Sequence, residues 1–335
     1  MPAQKPIRLA FIGAGIFARD GHLPAIQSLA PAYQIVAVYS QSQATASAFA
    51  SLLPGTVDTY TDLSALLARP DIEAVDILLP IDVMPAVVQQ ALRAGKHVVS
   101  EKPVAPDVAT GRALLGVKAA KQVWMVAENY RYESAFIQAG EIVKRGELGR
   151  LLLCHWAAHV GMTPGNKYYP SLWRRSNRFP GGYLLDGGVH YVAALRLVLG
   201  EIDRVTAMTA QMRDDLPPAD TLSATLHFDG GLIGTLGVTH AGTAPWPPAL
   251  RIVGERGAIS VYREELEVTC GGETRRQSFA RGGIQGELAA FAAAIREGAP
   301  HRNTPEEALQ DVSVVEAILQ AADSGRAVSP ERIVR

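Results

Sequence analysis

Cysteine is scarce in this chain: Cys154 and Cys270 are the only two in 335 residues. No CxxC pair exists, so the sequence offers neither a disulfide framework nor a cysteine-built zinc cluster, and two thiols suit a reducing compartment. A surplus of charge is also lacking. The 32 Lys and Arg against 33 Asp and Glu leave a formal net charge of −1. Without a long block of like charges, nothing draws the protein generally toward nucleic acid or an anionic membrane. Long apolar runs are missing too, and none approaches the ~20 residues of a membrane-spanning helix. The opening stretch MPAQKPIRLAFIGAG lacks the succession of charged, apolar and small residues that marks a secretory leader. The expectation is a cytoplasmic protein with no nucleic-acid and no membrane partner.

Glycine and hydrophobic residues are plentiful, at 31 glycines and 48% hydrophobic residues. That length and composition fit two globular domains of ordinary size. In the first 127 residues, short β-type runs alternate with helical stretches. IRLAFI, YQIVAVYS, EAVDILLP, KHVVSE and VWMVAE read as buried strands. ATASAFASLL, TDLSALLARP, MPAVVQQALRAG and APDVATGRALLGVKAAK read as the helices between them. Such alternation predicts a parallel, doubly wound sheet with helices on both faces.

The first strand runs into Gly13-Ala14-Gly15-Ile16-Phe17-Ala18, which fits GxGxxA. Gly13 permits the tight turn, Gly15 lets the backbone approach a pyrophosphate, and small Ala18 lets the helix pack on the strand. Amides at the helix start, around Ile16 and Phe17, face the phosphates. Residues 1–127 are therefore expected to form a Rossmann dinucleotide-binding domain. Cofactor choice is read at the end of the second strand, where an Asp or Glu would bind the adenosine ribose and repel a 2′-phosphate. Ser40, Gln41 and Ser42 stand there instead. NADP(H) is expected over NAD(H), although the absence of an Arg leaves NAD(H) tolerated.

From residue 128 the pattern changes. A helix around SAFIQAGEIVKRG leads into a long strand, LGRLLLCHWAAHVG. A loop rich in Gly, Pro, Tyr and Trp follows at 161–182, a candidate to close over a ligand. Several strand-like runs with short turns come next, then two amphipathic helices. Residues 128–335 are expected to form an α+β domain whose large, mostly antiparallel open sheet has helices on one face. Within it, GGYLLDGGVHYVAALRLVLG sets Asp186 and His190 four apart, on one face of a helix. They could form a buried hydrogen bond that fixes the helix start, with Asp186 near the N-cap, or they could project together toward a ligand. His22, His97, His155, His159, His227, His240 and His301 are scattered. His155 and His159 share one face of a strand, with no carboxylate nearby in sequence, so no metal site is expected.

Glu101-Lys102-Pro103, directly after the fifth strand, resembles the EKP signature of the Gfo/Idh/MocA family (glucose–fructose oxidoreductase, inositol dehydrogenase, rhizopine catabolism). The resemblance runs nearly the whole chain, through GxGxxA, ALRAGKHVVSEKP, ENYRY at 128–132, GELGRLL at 146–152, SLWRR at 171–175 and GGYLLDGGVH. It implies an NAD(P)-dependent oxidoreductase acting on a hydroxyl or carbonyl of a sugar, cyclitol or related small molecule, with Lys102, Asp186 and His190 as its catalytic residues. It further implies Leu79 and Pro80 on the nicotinamide side, Glu101 and Lys102 beside the cofactor, and Asn129 near the nicotinamide ribose. Trp173 and Arg174 would reach cofactor or substrate, and Arg131 or Tyr132 would face substrate. The glycines around Asp186 would let backbone and substrate approach. LPIDVMP departs from the family, with Ile81 and Met84 where an Asn and a His are common, which would make the pocket rim more apolar. A homodimer or homotetramer through the second sheet is also implied.

The chemistry of these residue types agrees. Oxidising an alcohol needs a base for the hydroxyl proton, and reducing a carbonyl needs an acid. Histidine titrates in the useful range, and a lysine cation can hold the substrate oxygen and stabilise alkoxide character. His190 is expected to move the proton, Lys102 to orient and polarise, and Asp186 to bind a substrate hydroxyl or tune the other two; exchanged roles for His190 and Lys102 stay open. Two other functions fit the same fold: a non-catalytic NAD(P)-binding sensor, and a hydrolase or epimerase that recycles its cofactor.

Overall fold

The computed structural model describes residues 5–242 and 249–334. They form two compact units. One holds the chain up to Ala105, residues 109–128 and Ile284–Ala308; the other holds residues 106–108, Asn129–Gly283 and the chain from Leu309.

The first unit begins with β1 (Ile7–Ile12), then a π-type turn (Ala18–His22) that enters α1 (Leu23–Ser28), then β2 (Tyr33–Tyr39), α2 (Gln43–Ala50), β3 (Asp58–Tyr60) and α3 (Leu63–Leu67). It continues with β4 (Ala74–Ile77), α4 (Met84–Arg93), β5 (His97–Glu101), α5 (Val108–Leu115) and β6 (Trp124–Ala127). Local chemistry starts the helices: the Ser42 hydroxyl accepts the Thr45 amide for α2, and the Asp62 carboxylate accepts those of Ser64 and Ala65 for α3. The sheet is wholly parallel in the order β3-β2-β1-β4-β5-β6. Strands β4 and β6 are buried along their whole length, which is why they read as continuous apolar runs. β3 is three exposed or half-buried residues, too short and polar to be seen in the sequence.

The second unit contains α6 (Ser134–Lys144), β7 (Leu151–His159), α7 (Tyr183–Leu199), β8 (Ile202–Ala210), β9 (Thr221–Phe228), β10 (Ile233–Thr239), β11 (Leu250–Gly254), β12 (Gly257–Val261), β13 (Glu265–Cys270) and β14 (Glu273–Ser278). Its eight strands run β14-β13-β12-β11-β7-β10-β9-β8, antiparallel except for β7 beside β10. α6 and α7 cover one face, where Phe136, Trp156 and Tyr191 interlock. His155 and His159 lie on β7 as expected and share its outer face. α7 is buried along most of its length, so its apolar sequence is core, as a helix hydrophobic all round should be.

Two helices close the chain, α8 (Gly283–Glu297) and α9 (Pro305–Ser324). Most of α8 belongs with the parallel sheet of the first unit. Leu288, Phe291 and Ala292 join Ile7, Leu9, Phe11 and Tyr33 in one apolar cluster, and the Tyr33 hydroxyl donates to the Leu288 carbonyl at 2.5 Å. The sequence pattern places this segment within the block 128–335; in the fold the chain returns to cover a sheet that residues 1–127 leave partly bare.

Candidate active site

In the first unit the glycine loop follows β1, Leu79 and Pro80 follow β4, and Lys102 follows β5, all at the carboxyl ends of parallel strands. β1 and β4 are neighbours in space while β2 lies on the other side of β1, so the loop sits at the topological switch point where such sheets take ligands. Gly13 adopts φ +105°, and a Cβ there would collide with the Leu78 carbonyl oxygen and crowd Leu79. Gly15 differs: a Cβ would meet no atom within 4 Å. The open space over Gly15 is a cradle that a side chain would fill and a pyrophosphate fits. Ala18 is fully buried against the sheet, as its packing role requires.

At the end of β2, the Ser40 hydroxyl accepts the Ser42 amide at 3.4 Å, and Ser42 caps α2. Gln41 is exposed beside them. Ile81 and Met84 are 1% and 0% exposed. The expected apolar rim is therefore corrected: both side chains fill the core beneath the loop and cannot line an open pocket.

Glu101 does more than begin the EKP segment. One of its carboxylate oxygens accepts the Lys102 amide at 3.2 Å, and the other lies 3.0 Å from Nε2 of His22. His22 is fully buried and its Nδ1 contacts Asp76 at 2.8 Å. A lone histidine is all that signals this contact in the sequence, because its partners stand 54 and more residues away on β4 and β5.

In the second unit, Asp186 and His190 both lie on α7, one turn apart. Asp186 accepts from Nε of Arg174 at 2.8 Å, with both side chains largely buried. The Arg174 guanidinium lies 4.1 Å over the Trp173 ring and 5.0 Å over that of Tyr168. SLWRR thus delivers a cation, held between two aromatic faces, to the carboxylate of α7. His190 stacks on Tyr130 at 4.8 Å and 20°, and Tyr130 stacks in turn on Phe136. Stacking on Tyr130 sets the plane of the imidazole.

Other candidates sit differently. Arg131 is 4% exposed, and one guanidinium nitrogen donates to both oxygens of Asp311 at 2.8 and 2.7 Å. Arg196 joins the same carboxylate at 2.6 Å. Arg131 is therefore a buried cation paired within its own unit. Asn129 is 7% exposed with its Oδ1 left without a protein partner; Tyr132 closes the same short turn, half-buried. The glycines around Asp186 also need correction. Gly181 and Gly182 take φ +77° and +50° against Leu319 and Pro217, while Gly187 and Gly188 face His240 and Val315. They let α7 pack closely on its own unit. His240, which the sequence did not single out, is 3% exposed, is pushed down in pKa by burial, and contacts the Val160 carbonyl at 3.1 Å. The 161–182 loop is anchored through Tyr169 to Asp215 and Arg175 to the Tyr169 carbonyl. Among the described residues no group of three or more His, Cys, Asp or Glu could hold a metal ion.

A glycine loop at the switch point of a doubly wound sheet, followed by an α+β unit with a large open sheet, defines a dinucleotide-binding oxidoreductase fold. Residues 7–130 match the model of the oxidoreductase family with an NAD-binding Rossmann fold, and residues 136–260 match that of the GFO/IDH/MocA C-terminal domain. The chain belongs to the Gfo/Idh/MocA family. It is 34% identical to the dehydrogenase FPY6 of Fusarium mangiferae over 94% of this chain and 96% of that one. It is 29% identical to the D-xylose 1-dehydrogenase (NADP+) 2 of Haloferax volcanii, over 91% and 94%. The crystal structure of an oxidoreductase from Thermotoga maritima superposes with a TM-score of 0.92 at 32% identity, covering 98% of this chain and all of that one. The protein is an NAD(P)-binding oxidoreductase with sugar dehydrogenases among its relatives.

Proposed function

We propose that this chain is an NADP(H)-preferring dehydrogenase or reductase that interconverts a secondary alcohol and a carbonyl on a sugar, cyclitol or related polyol. The observation that carries the reading is Lys102 at the carboxyl end of β5, on the same edge of the sheet as the open Gly15 cradle. Gly13, Gly15, Ile16 and Phe17 would hold the pyrophosphate, Leu79 and Pro80 would flank the nicotinamide, and Glu101 and Asn129 would complete its surroundings. When bound, the nicotinamide accepts or supplies the hydride. Lys102 binds the reacting oxygen and stabilises its developing negative charge. His190, its ring fixed on Tyr130, takes the hydroxyl proton in oxidation and returns it in reduction. Asp186, anchored by Arg174, orients substrate hydroxyls, and Tyr132 belongs to the same substrate-facing group.

NADP(H) preference follows from what β2 ends on. Ser40, Gln41 and Ser42 present hydroxyl and amide donors and no carboxylate to repel a 2′-phosphate, and a relative at 29% identity is named for NADP+. The two free cysteines, Cys154 buried and Cys270 half-buried, suit a cytoplasmic enzyme. Leu153, Ile233 and Val253, side by side on the outer face of the second sheet, suit a homodimer or homotetramer through that face.

The test is kinetic. Lys102→Ala and His190→Ala should each lower kcat by about 10²–10⁴-fold on a turned-over sugar or polyol while nucleotide dissociation constants stay near wild type. Folded variants with wild-type turnover would remove both assignments. In the same titrations NADP(H) should bind more tightly than NAD(H); equal or reversed constants would remove the preference.

A further inference from the structure

Two carboxyl groups of the first unit contact one imidazole and two more acids belong to the same electrostatic cluster, and the mechanism above uses only the loop that one of them begins. Asp76 on β4 and Glu101 at the end of β5 contact the two ring nitrogens of His22 at 2.8 and 3.0 Å. Glu287 on α8 and Glu128 just after β6 are each 1% exposed and act electrostatically within the same cluster. Asn303 donates one amide group to Glu287 and to the Glu128 carbonyl, both at 3.0 Å.

A neutral imidazole carries one N–H, so its second nitrogen would face a carboxylate with a lone pair. Two close contacts on opposite sides of the ring therefore require a second proton, held on the ring or on a partner acid and shared by the group. Burial alone would push His22 down, but Asp76 and Glu101 outweigh it and hold the imidazole well above its ordinary value. Burial likewise keeps Asp76 above the usual carboxylate range and Glu287 well above it. Such a cluster is a poor way to add stability, since apolar side chains of similar volume serve as well. What it supplies is position. The π-type turn at Ala18–His22, a local irregularity of the kind found at functional sites, carries His22 into the core only a few residues beyond the glycine loop. From there Nε2 of the ring lies 3.0 Å from one oxygen of Glu101, and the other oxygen accepts the Lys102 amide.

We infer that His22 is a positioning residue: through Glu101 it fixes the backbone from which Lys102 projects, and it ties that loop to the helix start that receives the dinucleotide. This rests on the reading of Lys102 as catalytic, and the experiment separates the two. Asn and Gln each retain one donor, Asn near the site of Nδ1 and Gln near that of Nε2. His22→Asn should keep a contact to Asp76, lose the one to Glu101, and lower kcat by about a hundredfold, the cost of a small misplacement, with the nucleotide dissociation constant within about threefold. His22→Gln keeps the donor toward Glu101 and should recover most of that loss. Hydrogen exchange of the peptide carrying Lys102 should quicken in the Asn variant and not in the Gln variant, a readout that needs no turnover. Should His22→Asn not fold, His22→Leu, which fills similar space with no donor toward Glu101, replaces it. Folded His22→Asn with wild-type kcat and unchanged exchange at Lys102, while Lys102→Ala is inactive, overturns the inference and leaves the mechanism standing. An active Lys102→Ala removes the mechanism, and exchange at Lys102 alone then decides whether His22 holds the loop. Equal losses in the Asn and Gln variants mean a general structural role and also overturn it.

Discussion

Two glycines of the first loop differ in what a methyl group would meet. At Gly13 it would strike the Leu78 carbonyl in a backbone region that L-residues avoid, whereas at Gly15 it would enter open space. Gly13→Ala should therefore destabilise the protein itself, by about 1–3 kcal/mol or more. Gly15→Ala should leave the unfolding midpoint within about 0.5 kcal/mol of wild type and still weaken nucleotide binding at least about tenfold, or ~1.4 kcal/mol. Denaturant titration and nucleotide titration read the two effects separately; an unaltered dissociation constant for Gly15→Ala would mean that no phosphate approaches there. Protonation gives a second prediction at this scale. His22 and Glu287 both bind protons more tightly folded than unfolded, so their stabilisation is complete below their unfolded values and is lost as pH rises toward the folded ones. For His22 that loss begins above about pH 6.5. The thermal midpoint should decline as pH is raised from there into the alkaline range, and His22→Gln should flatten the decline. A midpoint that climbs across that window would contradict the shared-proton cluster.

Elements differ in how openly the sequence announces them. β1, β2, β4, β5 and β6 were legible because strands buried on both faces are forced to be continuous apolar runs. β3 and β14 were not: β3 has three residues, and β14 is exposed along its whole length, so neither carries an apolar pattern. The site divided along the same line. Lys102, Asp186 and His190 could be proposed from the sequence because local motifs surround them. The His22–Asp76–Glu101 cluster and the Arg174–Asp186 pair join residues distant in sequence or set on separate elements, and the buried destination of Arg131 depends on α9, about 180 residues on. That last contact is testable. Asp311 on α9 neutralises Arg131 beside α6 and Arg196 on α7, with all three side chains at most 4% exposed. Asp311→Asn keeps the shape and removes the negative charge that two buried guanidinium groups share. The cost should be about 3–5 kcal/mol in urea titration; a loss under about 1 kcal/mol would mean that water reaches the cluster.

At the scale of the molecule, the second sheet has two edges and one uncovered face, and they are not equally suited to a partner. The β14 edge, ETRRQS, is fully exposed and carries two arginines, the kind of charged strand that resists edge-to-edge pairing. The β8 edge is already bridged by Val328 to Val205. The face offers something else: Ile233, Leu153 and Val253 stand in register across β10, β7 and β11 at 49%, 46% and 43% exposure. An apolar row of this kind on a regular sheet is what a self-complementary interface uses, because a two-fold axis lets the same patch meet itself. Association should therefore run through the face. Leu153→Arg combined with Ile233→Arg would bring several cations together at the centre of such an interface, where desolvating them costs more than the contact returns. Light scattering should give a dimer or tetramer for the wild type at about micromolar concentration and a monomer for the double variant, with circular dichroism unchanged because both side chains point away from the core. A monomeric wild type, or a double variant that assembles as before, would mean that these apolar side chains face water in the working enzyme.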